Sequence, residues 1–256
     1  MLLVGDVHGA TRALRRLAER GERLVVLGDL INFIDYRSFD GILAELVGKP
    51  QVAELVALRS AGEVAELRSR WAEIRRGQEE TMAARQRALM EAAYADVCAA
   101  LSGTRALVTF GNVDTPELLR AALPADCRLI DGEVEEVEGW RVGFVGGGVK
   151  TGLDIPGEVS EAELEAKLAG LGEVDVLCTH VPPAVGPLAR DVLGGRQKGS
   201  EAVLAYLLKQ RPAFHYFGDI HQPQASEWRV GATLARNVGY FRATGRGVRL
   251  PARGSV

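Results

Sequence analysis

Five short stretches of this 256-residue chain set carboxylates, imidazoles or an amide beside glycine or proline. They are GDVHG (Asp6, His8), GDL (Asp29), GNVD (Asn112, Asp114), THVPP (His180) and GDIH (Asp219, His221). Imidazole nitrogen, carboxylate oxygen and amide carbonyl oxygen together make a donor set for divalent cations such as Mn²⁺, Fe or Zn²⁺. A carboxylate at Asp29 can bridge two cations, because its two oxygens carry several lone-pair positions. Each piece alone has a bland explanation: a Gly-Asp after a strand is an ordinary turn or helix N-cap, and a single histidine is more often structural. Their joint order is what carries chemistry. The chain has four histidines, and His8, His180 and His221 all fall at ends of predicted strands. His215 lies inside an apolar run and is assigned to the core or to packing beside the site.

The elements that must position these residues are legible as periodicities. Short apolar runs rich in β-branched residues occur at MLLVGD, RLVVLGD, RALVTFGN, RVGFVGG, VDVLCTH and AFHYFGD, and each reads as a buried strand. Helical patterns separate several of them, over residues 10–20, 116–122, 160–171 and 201–210. Strands alternating with helices imply an α/β fold in which polar groups gather at the carboxyl ends of strands, and every stretch above sits at such an end. From about 38 to 102 the alternation gives way to helix formers. Val64, Leu67, Trp71 and Ile74 mark one apolar face, and Met82, Leu89, Ala93 and Val97 continue a similar stripe. This segment is read as an insert in a single domain spanning 1–256, serving as a helical cap or as the contact of a homodimer. Its interleaved arginines and glutamates, with Glu66 and Arg70 as an i,i+4 pair, read as a solvated helix surface and not as a nucleic-acid footprint.

The 31 Lys and Arg against 34 Asp and Glu leave a net charge of −3, so no global positive field recruits nucleic acid or anionic membrane. Cys98, Cys127 and Cys178 form no C-x-x-C pair, which suggests neither a disulfide framework nor a thiolate zinc site. No stretch offers the roughly 20 uninterrupted apolar residues of a membrane-spanning helix, and the first motif begins too near Met1 for a signal peptide. A cytoplasmic protein is expected. Residues 146–151 read GGGVKT, but a phosphate-cradling P-loop needs Gly directly before the Lys, where Val149 stands. They are taken instead as a glycine-rich loop that lets backbone approach the site.

In this order the motifs resemble the calcineurin-like metallophosphoesterase family, whose signature is D-x-H, G-D, G-N-H-[DE], a lone H, and G-H-x-H. The resemblance spans residues 6–221 and implies a four-layer α/β sandwich carrying the helical cap insertion. It implies two divalent metal ions: Asp6, His8, Asp29 and His221 hold one, Asp29, Asn112, His180 and Asp219 hold the other, and Asp29 bridges. It further implies a phosphoester hydrolase whose nucleophile is a hydroxide between the metals, acting on a small phosphoester, with Asn112 touching substrate as well as metal.

Two positions depart from the family pattern. Val113 stands where the family usually has the histidine that protonates the leaving group, a role worth about 10²–10⁴ in rate. That points to phosphodiesters with acidic leaving groups, with Asp114 or a cap residue as substitute acid. Asp219 replaces the first His of G-H-x-H, which either hardens the second site toward Mn²⁺ or leaves it weak. The alternative from a different class is a protein-binding scaffold, as in the retromer subunit that resembles this family. Specificity is expected from the insert, the loop after Gly148, and residues 182–198.

Overall fold

The computed structural model describes residues 1–150, 155–192 and 198–253; the predicted glycine-rich loop runs beyond these at Thr151, and the expected specificity segment 182–198 does so over 193–197. The chain begins with β1 (Leu2–Val4), α1 (Thr11–Ala18) and β2 (Leu24–Leu27). Four consecutive helices follow: α2 (Ile42–Val47), α3 (Lys49–Ala61), α4 (Val64–Arg75) and α5 (Glu79–Ala99). Then come β3 (Leu107–Thr109), α6 (Pro116–Ala122), β4 (Arg128–Leu129), β5 (Glu133–Val137), β6 (Trp140–Val145), β7 (Gly148–Val149) and β8 (Glu158–Val159). The remainder is α7 (Glu161–Leu171), β9 (Val176–Thr179), α8 (Gly186–Ala189), α9 (Glu201–Gln210), β10 (Phe214–Phe217), β11 (Glu227–Val230), β12 (Thr233–Asn237), α10 (Phe241–Thr244) and β13 (Val248–Arg249). The fold is therefore mixed α/β with largely parallel sheets.

All six predicted runs are strands. One sheet has the order β13-β1-β2-β3-β4, the other β11-β12-β10-β9-β6-β5, and β7 pairs with β8. β1, β2 and β3 are mutually parallel, as are β6, β9, β10 and β12, while β13, β5 and β11 pair antiparallel at the edges. Period-2 alternation divides each strand between two cores. Leu3, Val25, Leu27 and Leu107 of the first sheet share one buried cluster with Val142, Phe144, Val176 and Tyr216 of the second, so the sheets pack face to face. The opposite faces, with Val4, Val26 and Val108 on one sheet and Leu177 and Phe217 on the other, bury against helices through Leu14, Tyr94, Leu164 and Leu207. Strands outside the predicted runs are short or polar, such as the edge strand EVEEV of β5, which carries little apolar signal. Ser160 caps α7 in a reciprocal box with Glu163, and Ser200 caps α9, which fixes where both helices start.

Within the insert, α3 and α4 form a hairpin, α2 packs on α3 and α5, and α5 docks on α1 and α6 of the body. The α4 face of Val64, Leu67, Trp71 and Ile74 is its buried or half-buried side, as the spacing predicts. On α5 the expected stripe is shifted: Met90, Tyr94, Val97 and Cys98 are buried, and Met82, Leu89 and Ala93 sit at the margin. The shift arises because α5 packs against α1, α2 and α6 together and turns a wider face inward. Arg70 is drawn to Glu54 of α3 at 2.9 Å and to Glu73 at 2.9 Å, so the hairpin partner takes the role expected of Glu66. No described helix is long and apolar enough to cross a membrane.

Tyr94 ties the insert to the loop after β3. Its hydroxyl donates to Asp114 Oδ1 at 3.1 Å and accepts the Thr115 N–H at 2.8 Å. Replacing Tyr94 by Phe strands both partners out of water and should cost about 1–3 kcal/mol in urea denaturation, with far-UV helicity retained. His215 is fully buried on β10. The Thr179 hydroxyl donates to Val181 O at 2.6 Å, so His215 Nε2, 2.8 Å away, must donate its N–H to Thr179 and leave Nδ1 deprotonated, with no hydrogen-bond partner among the described residues. Burial pushes the His215 pKa down to about 3. The unfolded chain then takes up a proton at about pH 6.5 that the folded chain refuses, so this contribution is full above that pH and is lost as the pH falls toward 3. Urea denaturation across pH 7 to 4 should show wild type losing up to about 1.4 kcal/mol per pH unit more than His215→Gln.

Candidate metal centre

β1, β2 and β3 end side by side, as do β9 and β10 in the second sheet, so their carboxyl-terminal loops converge. Asp6, His8, Asp29 and Asp219 in these loops all adopt left-handed backbone, with φ of 55°, 41°, 51° and 64°. Such a conformation costs a non-glycine residue roughly 1–2 kcal/mol, so it persists only where surrounding bonds over-determine it. They do so here. The Asp6 N–H donates to Gly28 O at 3.2 Å, His8 N–H to Asp29 O at 2.9 Å, Gly218 N–H to His180 O at 2.9 Å, and Asp219 N–H to Asp6 Oδ1 at 3.2 Å. Close approach also demands glycine: a side chain at Gly111 would collide with Asp29 Oδ1, and one at Gly218 would lie 2.9 Å from Asp6 Oδ2.

These loops bring donor atoms into two groups, Asp6 with His8 and His221, and Asp6 with Asp29 and His180, each with its ligand atoms within 4.8 Å of one another. The Asp29 carboxylate is divided between them. Oδ2 lies 3.5 Å from His8 Nε2, and Oδ1 lies 3.5 Å from His180 Nε2. Asn112 Oδ1 joins the second group, 3.3 Å from His180 Nε2. His180 Nδ1 donates to Leu27 O at 2.7 Å, a bond between the two sheets that turns Nε2 toward the centre. His221 Nε2 is 3.7 Å from Asp6 Oδ1 and 3.2 Å from His8 Nε2.

Electrostatics at the centre call for a cation. Asp6 and Asp29 are 0% and 3% exposed. Burial alone would raise the Asp6 carboxyl, yet His221 beside it and the charges of His180 and His8 hold it down at about 2. Asp29 is raised, by burial first and then by Asp6 and Asp219. Burial would lower His180, but Asp29, Asp219 and Asp6 together lift it to about 9. Burial and then the His221 charge push His8 down to about 4, which keeps it neutral and able to ligate. No hydrogen-bond partner among the described residues reaches Asp6 Oδ2 or His8 Nδ1, although both are buried. Two enclosed carboxylates, three facing imidazoles and orphaned donor atoms fit a divalent ion.

Several sequence-derived roles change on inspection. Asp114, expected as a substitute acid, is fully buried; its carboxylate accepts from Gly111 N–H at 2.8 Å, Leu30 N–H at 3.1 Å and the Tyr94 hydroxyl. It clamps the Asp29 loop to the Asn112 loop and has no path to a substrate. Val113 is buried and donates its N–H to Asp29 Oδ1 at 3.1 Å. Asp219 joins neither donor group; its Oδ1 accepts instead from Lys198 Nζ at 2.9 Å. Gly148 packs its backbone against Asn112, as the glycine-rich loop predicts.

Sequence reasoning missed Tyr240 and Arg242, and reached Lys198 only as the end of the expected specificity segment 182–198. The Tyr240 ring stacks on His221 at 3.9 Å with 5° between planes, and Arg242 Nη1 donates to His8 O at 2.6 Å. Lys198 alone carried a signal, as one of the few lysines in a chain whose basic residues are nearly all arginine. A cavity of about 510 Å³ opens nearby, lined by Gly9, Asn32, Ile42 and Val97 among others, but none of the donor groups lines it.

No protein-family profile matches the chain, and no curated protein does. Solved structures do. One crystal structure superposes with a TM-score of 0.63 at 17% identity, covering 94% of this chain and 90% of the other. The crystal structure of TT1561 of Thermus thermophilus superposes with a TM-score of 0.57 at 13% identity, covering 94% and 89%. At such identities the likeness is one of fold: this chain shares its α/β architecture, over nearly its whole length, with both.

Proposed function

We propose that the chain is a metal-dependent phosphoester hydrolase on the four-layer calcineurin-like metallophosphoesterase sandwich, and that its substrates are phosphodiesters. The observation that carries this reading is the division of one buried carboxylate, Asp29, between His8 at 3.5 Å and His180 at 3.5 Å, with Asp6 common to both donor groups. Asp6, His8, Asp29 and His221 would hold one divalent ion, and Asp29, Asn112 and His180 the other. When bound, Mn²⁺, Fe or Zn²⁺ supplies an acidified water near neutral pH and positive charge against a phosphoryl oxygen.

The protein's own groups account for the rest. His180 is held in one tautomer by Leu27 O, and His221 in one ring plane by Tyr240, so both present nitrogen without reorganising. Asn112, half-buried at the rim of the centre with Oδ1 toward His180, would orient a phosphoryl oxygen through its amide N–H₂. With Val113 apolar and Asp114 fully bonded, neither offers a proton to the leaving group. A leaving group must then depart as a stable anion, which favours diesters with acidic leaving groups over alkyl monoesters.

Metal-stripped protein resupplied with Mn²⁺ should hydrolyse bis-p-nitrophenyl phosphate at least about tenfold faster than an alkyl monoester such as glycerol 2-phosphate, since the missing acid is worth more than that where the leaving group is an alkoxide. His180→Ala should lower the diester rate by more than about 100-fold, because loss of groups that merely support a ligand already costs 10–100-fold. Faster monoester cleavage would remove the diester assignment. No hydrolysis of either compound, with no metal taken up, would favour the protein-binding scaffold.

A further inference from the structure

The Asp219–Lys198 pair sits where a second cation would need its last protein ligand. Asp219 follows β10 with its side chain 4% exposed, and its backbone N–H is fixed on Asp6 Oδ1. Its charge is felt by both Asp29 and His180, so it belongs to the second donor group electrostatically, yet its carboxylate faces Lys198 Nζ at 2.9 Å. Lys198 reaches this point from beside α8, where its N–H donates to Ala189 O at 2.9 Å. Its side chain is 33% exposed along its length, while the ammonium end lies against the nearly buried Asp219 carboxylate. An ammonium has three donors and no lone pair: it satisfies a buried carboxylate as a cation does, but it cannot share that carboxylate's oxygen with a metal at ligand distance.

Resting on the phosphoesterase reading, we propose that Lys198 is a resident cation of the second site: it occupies Asp219, competes with a divalent ion there, and leaves a centre with one tightly and one weakly held metal. The second site keeps Asp29, Asn112 and His180, three protein donors where Mn²⁺ prefers six oxygen or nitrogen ligands. Its filling is therefore set by metal supply, while the ammonium provides fixed positive charge when it is empty. Removing Lys198 leaves a nearly buried carboxylate without its counter-charge, a strong inducement for a divalent ion to take its place.

The test is Mn²⁺ titration of the metal-free full chain, read by calorimetry and by the electron paramagnetic resonance of free Mn²⁺. Wild type should show two unequal sites. Lys198→Met should tighten the weaker one by about tenfold or more, equivalent to 1.4 kcal/mol, with the tighter one unchanged. Adding Asp219→Asn to Lys198→Met should abolish that gain. If Lys198→Met does not fold, Lys198→Gln carries the same expectation. Two sites in wild type that are equal, or a weaker site that Lys198→Met leaves unchanged or loosens, overturns the competition while leaving the phosphoesterase reading intact. Absence of Mn²⁺ binding in wild type and in every variant overturns both.

Discussion

Asp6 and Asp29 follow neighbouring strands of one sheet and are buried against the ends of the other, and that placement constrains everything around them. A carboxylate taken out of water costs several kcal/mol even after relaxation, and two together add mutual repulsion. The surroundings answer with positive or polarisable partners from both sheets: His8 and the Val113 N–H from the first, His180, His221 and the Asp219 N–H from the second. Neither sheet could carry this centre alone. The His180 bond to Leu27 O spans the same gap, so the ends that hold the donors are joined to each other directly as well as through the apolar layer between them.

Backbone strain is concentrated at the same place. Among the described residues, eight non-glycine positions have positive φ, and four of them are Asp6, His8, Asp29 and Asp219. At roughly 1–2 kcal/mol each, this is a substantial fraction of the 5–15 kcal/mol by which a typical domain is stable. Such a conformation turns a side chain sharply out of the line of its strand, which lets neighbouring parallel strands aim their donors at a common point. Asp114 and Tyr94 have their meaning in this setting. By clamping Leu30, Gly111 and Thr115 they tie the strained Asp29 loop to the Asn112 loop from behind, and through Tyr94 the packing of the helical insert reaches the centre.

Legibility from sequence followed the range of the interaction. The six central strands were visible because burial on both faces leaves an unbroken apolar run, and α7 was visible through its helical pattern over 160–171. Edge strands such as β5, β11 and β13 were not, since a half-exposed or two-residue strand carries almost no pattern. Among the site residues, Asp6, His8, Asp29, Asn112, His180 and His221 announced themselves by type and by position after a strand, and they meet in space. Tyr240 and Lys198 did not, because what each does depends on a partner 19 or 21 residues away that only the fold brings near. Asp114 misled for the opposite reason: an acid beside a candidate ligand reads as chemistry, while its bonds to backbone N–H groups are invisible in one dimension.

Measured against the metallophosphoesterase pattern that the proposed function invokes, the departures at 113 and 219 differ in kind. At 113 a valine removes a titratable group and leaves its backbone N–H on Asp29, so the local geometry keeps its purpose while the proton is lost. At 219 an aspartate retains a carboxylate oxygen able to ligate but adds a negative charge that an imidazole would not. That charge would intensify the repulsion between Asp6 and Asp29 unless matched, and the chain matches it with Lys198 at 2.9 Å. On the proposed reading the aspartate and the lysine act as one feature in electrostatic terms: the anion at 219 and the cation at 198 offset each other, and part of the charge that the proposed second metal would supply comes from the chain.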